Sequence, residues 1–177
     1  MTIRETERLL LRRLAPTDDE FILELLNDPD FLRNIGDKGV RTLSDARDYV
    51  ANGPAASYAR FGFGLDLVVR RADGAPLGIC GLIKRDALDD VDLGFAFLPQ
   101  HRSQGYAMEA AGAVLAQARE ELALPRLAAI TIPANAPSIR LLERLGFRFE
   151  RMIRLSEEDG ELRLFLLELP GGEAEAR

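Results

Sequence analysis

Apolar residues recur along this chain with two periods, and the changes between them mark the elements. Leu9, Leu10 and Leu11 followed by Arg12 and Arg13 predict a first strand. Thr17-Asp18-Asp19-Glu20 has the spacing of a capping box, and Phe21, Ile22, Leu25 and Leu26 then repeat at helical period until Asn27-Asp28-Pro29. A second helix is predicted from about Ser44 to Ala51, stopped by Asn52-Gly53-Pro54. The middle reads as an antiparallel meander. Phe63 to Arg70 and Leu77 to Lys84 flank an Ala72-Asp73-Gly74 turn, and Val91 to Leu98 follows an acidic turn at Asp86, Asp89 and Asp90.

The period then lengthens. Ala107, Ala110, Ala111, Val114, Leu115, Ala118 and Leu122 share one face of a long helix that Leu124-Pro125 ends. Leu127 to Ile132 is a short apolar strand, so strand, helix and strand in succession predict a crossover and a parallel pair. Asn135 to Leu145 is a helix with Gly146 placed as its C-terminal cap. Phe149 to Leu155 and Leu162 to Leu169 close the chain around an Asp159-Gly160 turn. The order β-α-α-β-β-β-α-β-α-β-β predicts an α/β (α+β) fold: one mixed sheet with helices on its faces. Residues 1–170 are expected to form one domain, with 171–177 a small, polar, mobile tail.

Composition narrows the chemistry. The 177 residues are 47% hydrophobic and 29% charged, enough apolar surface for a core. No apolar run reaches about 18 residues, and Met1 to Glu5 lacks the apolar region of a signal peptide. Against 29 Asp and Glu stand 23 Lys and Arg, a net charge of -6 that disfavours nucleic acid as a partner. Any bound anion must therefore meet a local device. Cys80 and His101 are the only residues of their types, which excludes an internal disulfide and a Cys/His metal cluster. A Ser-His-Asp triad would need His101, and no nucleophile-elbow motif accompanies it. The expectation is a cytoplasmic protein that uses no metal and meets no membrane.

One segment offers such a local device. Gln100-His101-Arg102-Ser103-Gln104-Gly105-Tyr106-Ala107 runs from a strand into the long helix. The leading amides of a helix lack internal partners, and the helix dipole is positive there. Gly105 and Ala107 let a ligand approach the backbone, and Arg102 would add charge at the loop mouth. Together they could cradle a pyrophosphate. A plain helix-start glycine would leave the same trace. The loop is neither a Walker A loop nor a Gly-x-Gly-x-x-Gly fingerprint.

About thirty residues on lies Asn135-Ala136-Pro137-Ser138, followed by Leu145-Gly146-Phe147. With these segments the chain resembles the GCN5-related N-acetyltransferase (GNAT) family. Arg102-x-x-Gly105-x-Ala107 is similar to that family's acetyl-CoA loop, and Asn135-x-x-Ser138 with Leu145-Gly146-Phe147 to its second conserved segment. Glu7-Arg8-Leu9-Leu10-Leu11-Arg12 and Asp92-Leu93-Gly94-Phe95 resemble the RimJ/RimL-like ribosomal-protein N-acetyltransferase branch. The likeness spans roughly residues 7 to 169.

The resemblance implies a V-shaped splay between the two parallel strands, in which the pantetheine arm of acetyl-CoA pairs with main-chain groups. Those would belong to Phe95, Phe97 and Leu98, while the pyrophosphate would rest on Arg102, Ser103, Gln104, Gly105, Tyr106 and Ala107. It implies acyl transfer by direct attack of an amine on the thioester, through a tetrahedral intermediate, with no covalent enzyme nucleophile. Asp92 would be the base, where the related branch usually carries Glu. Strand alternation sets it on one face with Gly94 and Ala96, small neighbours that would leave room for a substrate. The bland reading makes Asp92 part of a solvated acidic turn.

Ser138 would contact the CoA sulfur and donate its proton, because the Tyr of many members aligns with Leu142, which has no proton to give. A first-turn hydroxyl is the plain reading of Ser138, and a helix cap that of Asn135, which in the family also contacts the pantetheine arm. Tyr106 would pack the loop, His101 would be solvated or near the adenosine phosphate, and Cys80 would be buried. The acceptor would be held by Phe31 to Ile35, Tyr58 to Phe63 and Ser156 to Gly160. The acidic balance favours a cationic acceptor, such as a protein N-terminal α-amine or a small polyamine. The alternatives are the same chemistry on a small amine or an amino-acid-like molecule, and, from a different class, an acyl-CoA-binding sensing or assembly module without turnover. A monomer or a homodimer is compatible with the sequence.

Overall fold

The computed structural model describes residues 3–170; the expected tail at 171–177 lies outside them. Eight strands form one sheet in the order β1-β2-β3-β4-β5-β6-β8-β7. In chain order they are β1 (Arg4–Glu5), β2 (Leu9–Arg13), β3 (Leu65–Arg70), β4 (Pro76–Ile83), β5 (Asp92–Phe97), β6 (Arg126–Thr131), β7 (Arg148–Ile153) and β8 (Leu162–Glu168). The helices are α1 (Asp19–Leu26), α2 (Pro29–Asn34), α3 (Leu43–Asn52), α4 (Pro54–Phe61), α5 (Tyr106–Ala116) and α6 (Ala136–Arg144). All pairings are antiparallel except β5 with β6.

The seven expected strands are matched to within one or two residues, β1 is an eighth that the pattern did not mark, and the helices depart from expectation in three ways. Pro29 and Pro54 look like stops, yet each opens a new helix, α2 and α4, because a first-turn proline has no amide to waste. The box at Thr17 is not used: Pro16–Asp18 form a single 3₁₀ turn, and the Asp18 carboxylate instead accepts the Ala15 amide at 2.8 Å and pairs with Arg12. The long helix leaves α geometry at Gln117 and finishes as one π turn to Glu121.

Two apolar layers hold the sheet. Ala110, Ala111 and Val114 of α5 and Leu142 of α6 pack on Leu11, Val68, Cys80, Leu93 and Phe165. Ile22, Leu25, Ala46 and Val50 of α1 and α3 pack on the other face against Leu67 and Ile79. Cys80 is fully buried, and burial pushes its thiol well above the ordinary range, which makes it a packing residue.

Strands β5 and β6 are in register at one pair only, Asp92 with Ala128, where the Ala128 amide donates to the Val91 carbonyl at 2.9 Å. Beyond it they part. β6 stays bound to β8 along its whole length and β5 to β4, so each strand keeps its outer partner while the seam between them opens. This is the V-shaped splay, and it divides the sheet at its middle.

Candidate active site

The splay exposes one edge of β5, and alternation decides which main-chain groups face it. The Leu98 amide donates to the Leu77 carbonyl at 3.0 Å, so Leu98, Ala96 and Gly94 bond toward β4. Phe97, Phe95 and Leu93 therefore turn their amides and carbonyls toward β6. The expectation for Leu98 is corrected: its amide serves β4, and its carbonyl accepts His101 N–H at 3.0 Å. Phe95 and Phe97 fit both of their readings, since their rings belong to the α5-side core while their backbones face the cleft. Ile130 presents its backbone from the opposite wall by the same alternation, because the Leu169 amide bonds Pro125 and fixes which β6 residues serve β8.

Beyond β5 the chain makes one 3₁₀ turn, Pro99–His101, and enters the loop. Ser103 and Gly105 both have positive φ, 60° and 82°, which turns successive amides toward a common side. Among the described residues, the amides of Ser103, Gln104, Gly105, Tyr106 and Ala107 donate to no protein acceptor. The cradle expected at this loop is thus five consecutive free amides at the start of α5. Tyr106 is buried and packs the loop from below.

The charge expected from Arg102 is placed elsewhere. Its guanidinium donates to Asp28 at 2.9 Å, to Asp30, and to the Phe97 carbonyl at 2.9 and 3.1 Å. It ties the loop to the start of α2. The Arg102 amide is also engaged, on Pro99 at 3.3 Å. The cation that reaches the loop is Arg8, which donates to the Gln104 carbonyl at 3.0 Å, pairs with Glu109 at 2.8 Å and lies 4.5 Å over the Tyr106 ring. Partial burial and then the Arg70 charge hold His101 below its ordinary value, opposed by Asp73, which pairs with Arg70 at 2.7 Å. Arg8 stands in the opening Glu7-Arg8-Leu9 segment, where nothing local indicates a contact nearly a hundred residues on.

A cavity of about 790 Å³ lies beside the splay on the face of α1 to α4. Asp92, Phe95, Asn135, Ser138 and Leu142 all line it. So do Phe31 and Ile35, Arg60 and Phe61, and Asp159 and Gly160, one pair from each segment expected to hold the acceptor. Residues 102–107 are not among its walls.

Asp92 is 1% exposed, which removes the solvated-turn reading. The acidic-turn residue Asp90 pairs with Arg126 instead, at 3.0 Å. Both Asp92 oxygens face Arg85 Nε, at 3.2 and 3.4 Å. Burial pushes this carboxyl up to about 6, and Arg85 limits the rise. The space beside it is not all free: the Ile83 and Leu65 side chains lie over Gly94, so its missing Cβ accommodates them first. Asn135 accepts the Ser138 amide at 3.3 Å, a helix cap whose residue also faces the cavity. Leu142 is fully buried, an apolar wall where a tyrosine hydroxyl would otherwise reach.

Comparison with known proteins agrees with this geometry. The family model described as "Acetyltransferase (GNAT) domain" matches residues 8–148. A Bacillus subtilis (strain 168) protein called "Uncharacterized N-acetyltransferase YnaD" is 30% identical over 145 residues, 82% of either chain. A GNAT-family acetyltransferase structure from Bacillus anthracis superposes with a TM-score of 0.78 at 26% identity, over 94% of this chain and 98% of that one. The ribosomal-protein-S5-alanine acetyltransferase of Vibrio fischeri shares the fold, with a TM-score of 0.73 at 15% identity over 96% and 98% of the two chains. With a GNAT model matched across most of its length and the family's opened β5–β6 seam at its centre, this chain belongs to the GNAT acetyltransferases.

Proposed function

We propose that the protein is an acetyl-CoA-dependent N-acetyltransferase that transfers the acetyl group to a primary amine by direct attack. The observation that carries this reading is the convergence of Asp92, Asn135 and Ser138 on one cavity at the point where β5 leaves β6. Acetyl-CoA suits the other side of that point: free main-chain groups of Phe95 and Phe97 for the pantetheine arm, and five free amides with Arg8 for the pyrophosphate.

Asp92 serves as the base. A carboxyl near 6 is largely ionised at neutral pH yet basic enough to take a proton from the acceptor's ammonium, directly or through one water, and so free the amine to attack. The neutral amine adds to the thioester carbonyl to form a tetrahedral intermediate; its collapse breaks the carbon–sulfur bond, the extra proton on nitrogen leaves to solvent, and Ser138 stands at the cavity wall to protonate the departing sulfur. A thioester supplies a good leaving group, so a weak donor suffices where Leu142 offers none. We place the enzyme in the cytoplasm as a monomer or homodimer, with β7 as the sheet edge that a partner copy would meet.

The test is release of free thiol from acetyl-CoA across a panel of peptides and small amines. Release above background with at least one acceptor is expected. Tight CoA binding with no release from any acceptor would replace this reading with an acyl-CoA-binding module, which the buried Leu142 would favour.

A further inference from the structure

The acceptor side of the cavity carries a charge pattern that the net charge of the chain conceals. Lys38 from the loop before α3, Tyr49 from α3 and Arg85 from the turn after β4 all line the cavity beside Asp92. Arg85 spends only Nε on Asp92; among the described residues its two terminal nitrogens donate to nothing. The Lys38 ammonium and the Tyr49 hydroxyl likewise have no hydrogen-bond partner among the described residues. Asp92 answers the Arg85 charge through Nε, and among the described residues no carboxylate pairs with Lys38. The Lys38 ammonium is held below its ordinary value first by burial and then by the Arg85 charge. Burial raises Tyr49, and the same arginine draws it back.

The other charged groups of the cavity are already engaged. Lys84 donates to the carbonyls of Arg85 and Leu88 at 2.9 and 2.6 Å. Asp159 accepts the Ser156 hydroxyl at 2.8 Å, Glu161 lies 3.9 Å from Arg154, and Arg60 stacks on Phe61. What remains beside the Arg85–Asp92 pair is a set of unused donors, the terminal nitrogens of Arg85, the Lys38 ammonium and the Tyr49 hydroxyl, with one positive charge in excess. Lys38 and Arg85 still repel one another, and a second anion would relieve that repulsion and take up the unused donors.

We propose that Lys38, Tyr49 and the outer edge of Arg85 bind a carboxylate of the acceptor. The acceptor is then a primary amine that carries a carboxylate, with the amine directed to Asp92 and the carboxylate to this donor set. A free α-amino acid and a peptide whose first side chains include a carboxylate share that chemistry. A simple polyamine does not. The inference rests on the N-acetyltransferase reading of the same cavity and sharpens its substrate class.

Matched acceptors test it on the full-length protein with acetyl-CoA: phenylalanine against phenylalaninamide, and a Ser-Asp peptide against its Ser-Asn counterpart. The carboxylate member is expected to have a kcat/KM at least about tenfold higher, mainly through KM, in whichever pair fits the cavity. The pair that responds identifies free amino acid or peptide as the source. In Lys38→Met and in Tyr49→Phe that ratio is expected to fall toward one, while the KM for acetyl-CoA stays within about twofold. Lys38→Glu is expected to shift preference toward the polyamine spermidine. An equal or better amide substrate, an unchanged ratio in both variants, or a change confined to acetyl-CoA would overturn the proposal. Calorimetric titration of the same acceptors reads the site without turnover. If no amine releases thiol but carboxylate acceptors bind and lose affinity in Lys38→Met, only the enzymatic reading fails. If they do not bind either, this inference fails as well.

Discussion

Arg102 separates two accounts of the loop, and its substitution by methionine distinguishes them. In one account the guanidinium is a hand for phosphate; in the structure it is a clamp. Arg102→Met would strip Asp28 of a 2.9 Å ion pair, leaving that 7%-exposed side chain only the Phe31 amide at 3.2 Å. Asp30 and the Phe97 carbonyl would lose their contacts too. Removing one partner of a fully buried pair costs about 3–5 kcal/mol. The Arg102 side chain is 36% exposed, so solvent screening reduces this to about 2–3 kcal/mol. For a domain of this size the loss lowers Tm by about 4–12 °C, measurable by thermal denaturation without ligand. The free amides of residues 103–107 are not held by the guanidinium, and Arg8 still fixes the Gln104 carbonyl. The CoA dissociation constant, measured by calorimetry below the new Tm, is therefore expected to rise by less than about tenfold. An unchanged Tm with a loss of CoA affinity well beyond tenfold would refute the clamp and restore Arg102 as a phosphate ligand.

Four further substitutions probe the site and the core. Asp92→Asn is expected to lower kcat by about 10²–10⁴ and to abolish an acid limb near pH 6 in kcat/KM, measured with a low-pKa amine; unchanged turnover removes Asp92 from the chemistry. Arg85→Gln withdraws the charge that restrains Asp92, so the same limb should move above pH 6; a fixed or lowered limb contradicts the pairing. Gly105→Val forces a branched side chain into positive φ and sets its Cβ 3.2 Å from Arg8 Nη2, so CoA affinity should fall more than about tenfold; retained affinity sinks the loop assignment. Asp66→Asn tests a second buried carboxyl, pushed from 3.8 to about 6 by burial despite Arg4. Between those values the folded state binds more protons than the unfolded one, so stability is full below about pH 4 and falls as pH rises through 6, by at most about 3 kcal/mol. The asparagine variant should melt several degrees above the parent at pH 8 and lose that advantage at pH 4; a lower Tm at pH 8 would show that Arg4 outweighs the burial.

Local pattern carried most of the strands, because their period and turn residues are set by neighbours in sequence. Leu9–Arg13 and Leu162–Glu168 were legible in this way. The two prolines were not, since a proline that ends one helix and a proline that begins the next look alike until tertiary contacts decide. Asn135 and Ser138 were found through a motif whose members are adjacent in the chain. Arg8, Lys38, Tyr49 and Arg85 were not, because each reaches its place through a fold contact that no local spacing records. Arg102 shows the converse error: an arginine at the right place in a motif still points wherever the nearest carboxylates lie, and here those are Asp28 and Asp30.

The position of Asp92 follows from the parting of the strands. It is the one β5 residue in register with β6: its own backbone faces Ile83 of β4, and the Ala128 amide holds its neighbour Val91. Its carboxylate is fixed again by Arg85. Beyond that pair the β6 side of β5 is open, and in the proposed reaction a thioester laid along that edge would meet Asp92 where the two strands are still joined. Placing the carboxylate two residues later would seat it beside unpaired backbone. Two residues earlier it would stand at Asp90, which pairs with Arg126 and lies outside the cavity walls. The end of the parallel ladder is where a base can be both held and buried while the next residues remain free to bind. The donor set proposed to take the acceptor's carboxylate would complete the alignment from beside Arg85, since an acceptor held at its amine by Asp92 and at its carboxylate by Lys38 and Tyr49 has little freedom left to approach from the wrong side.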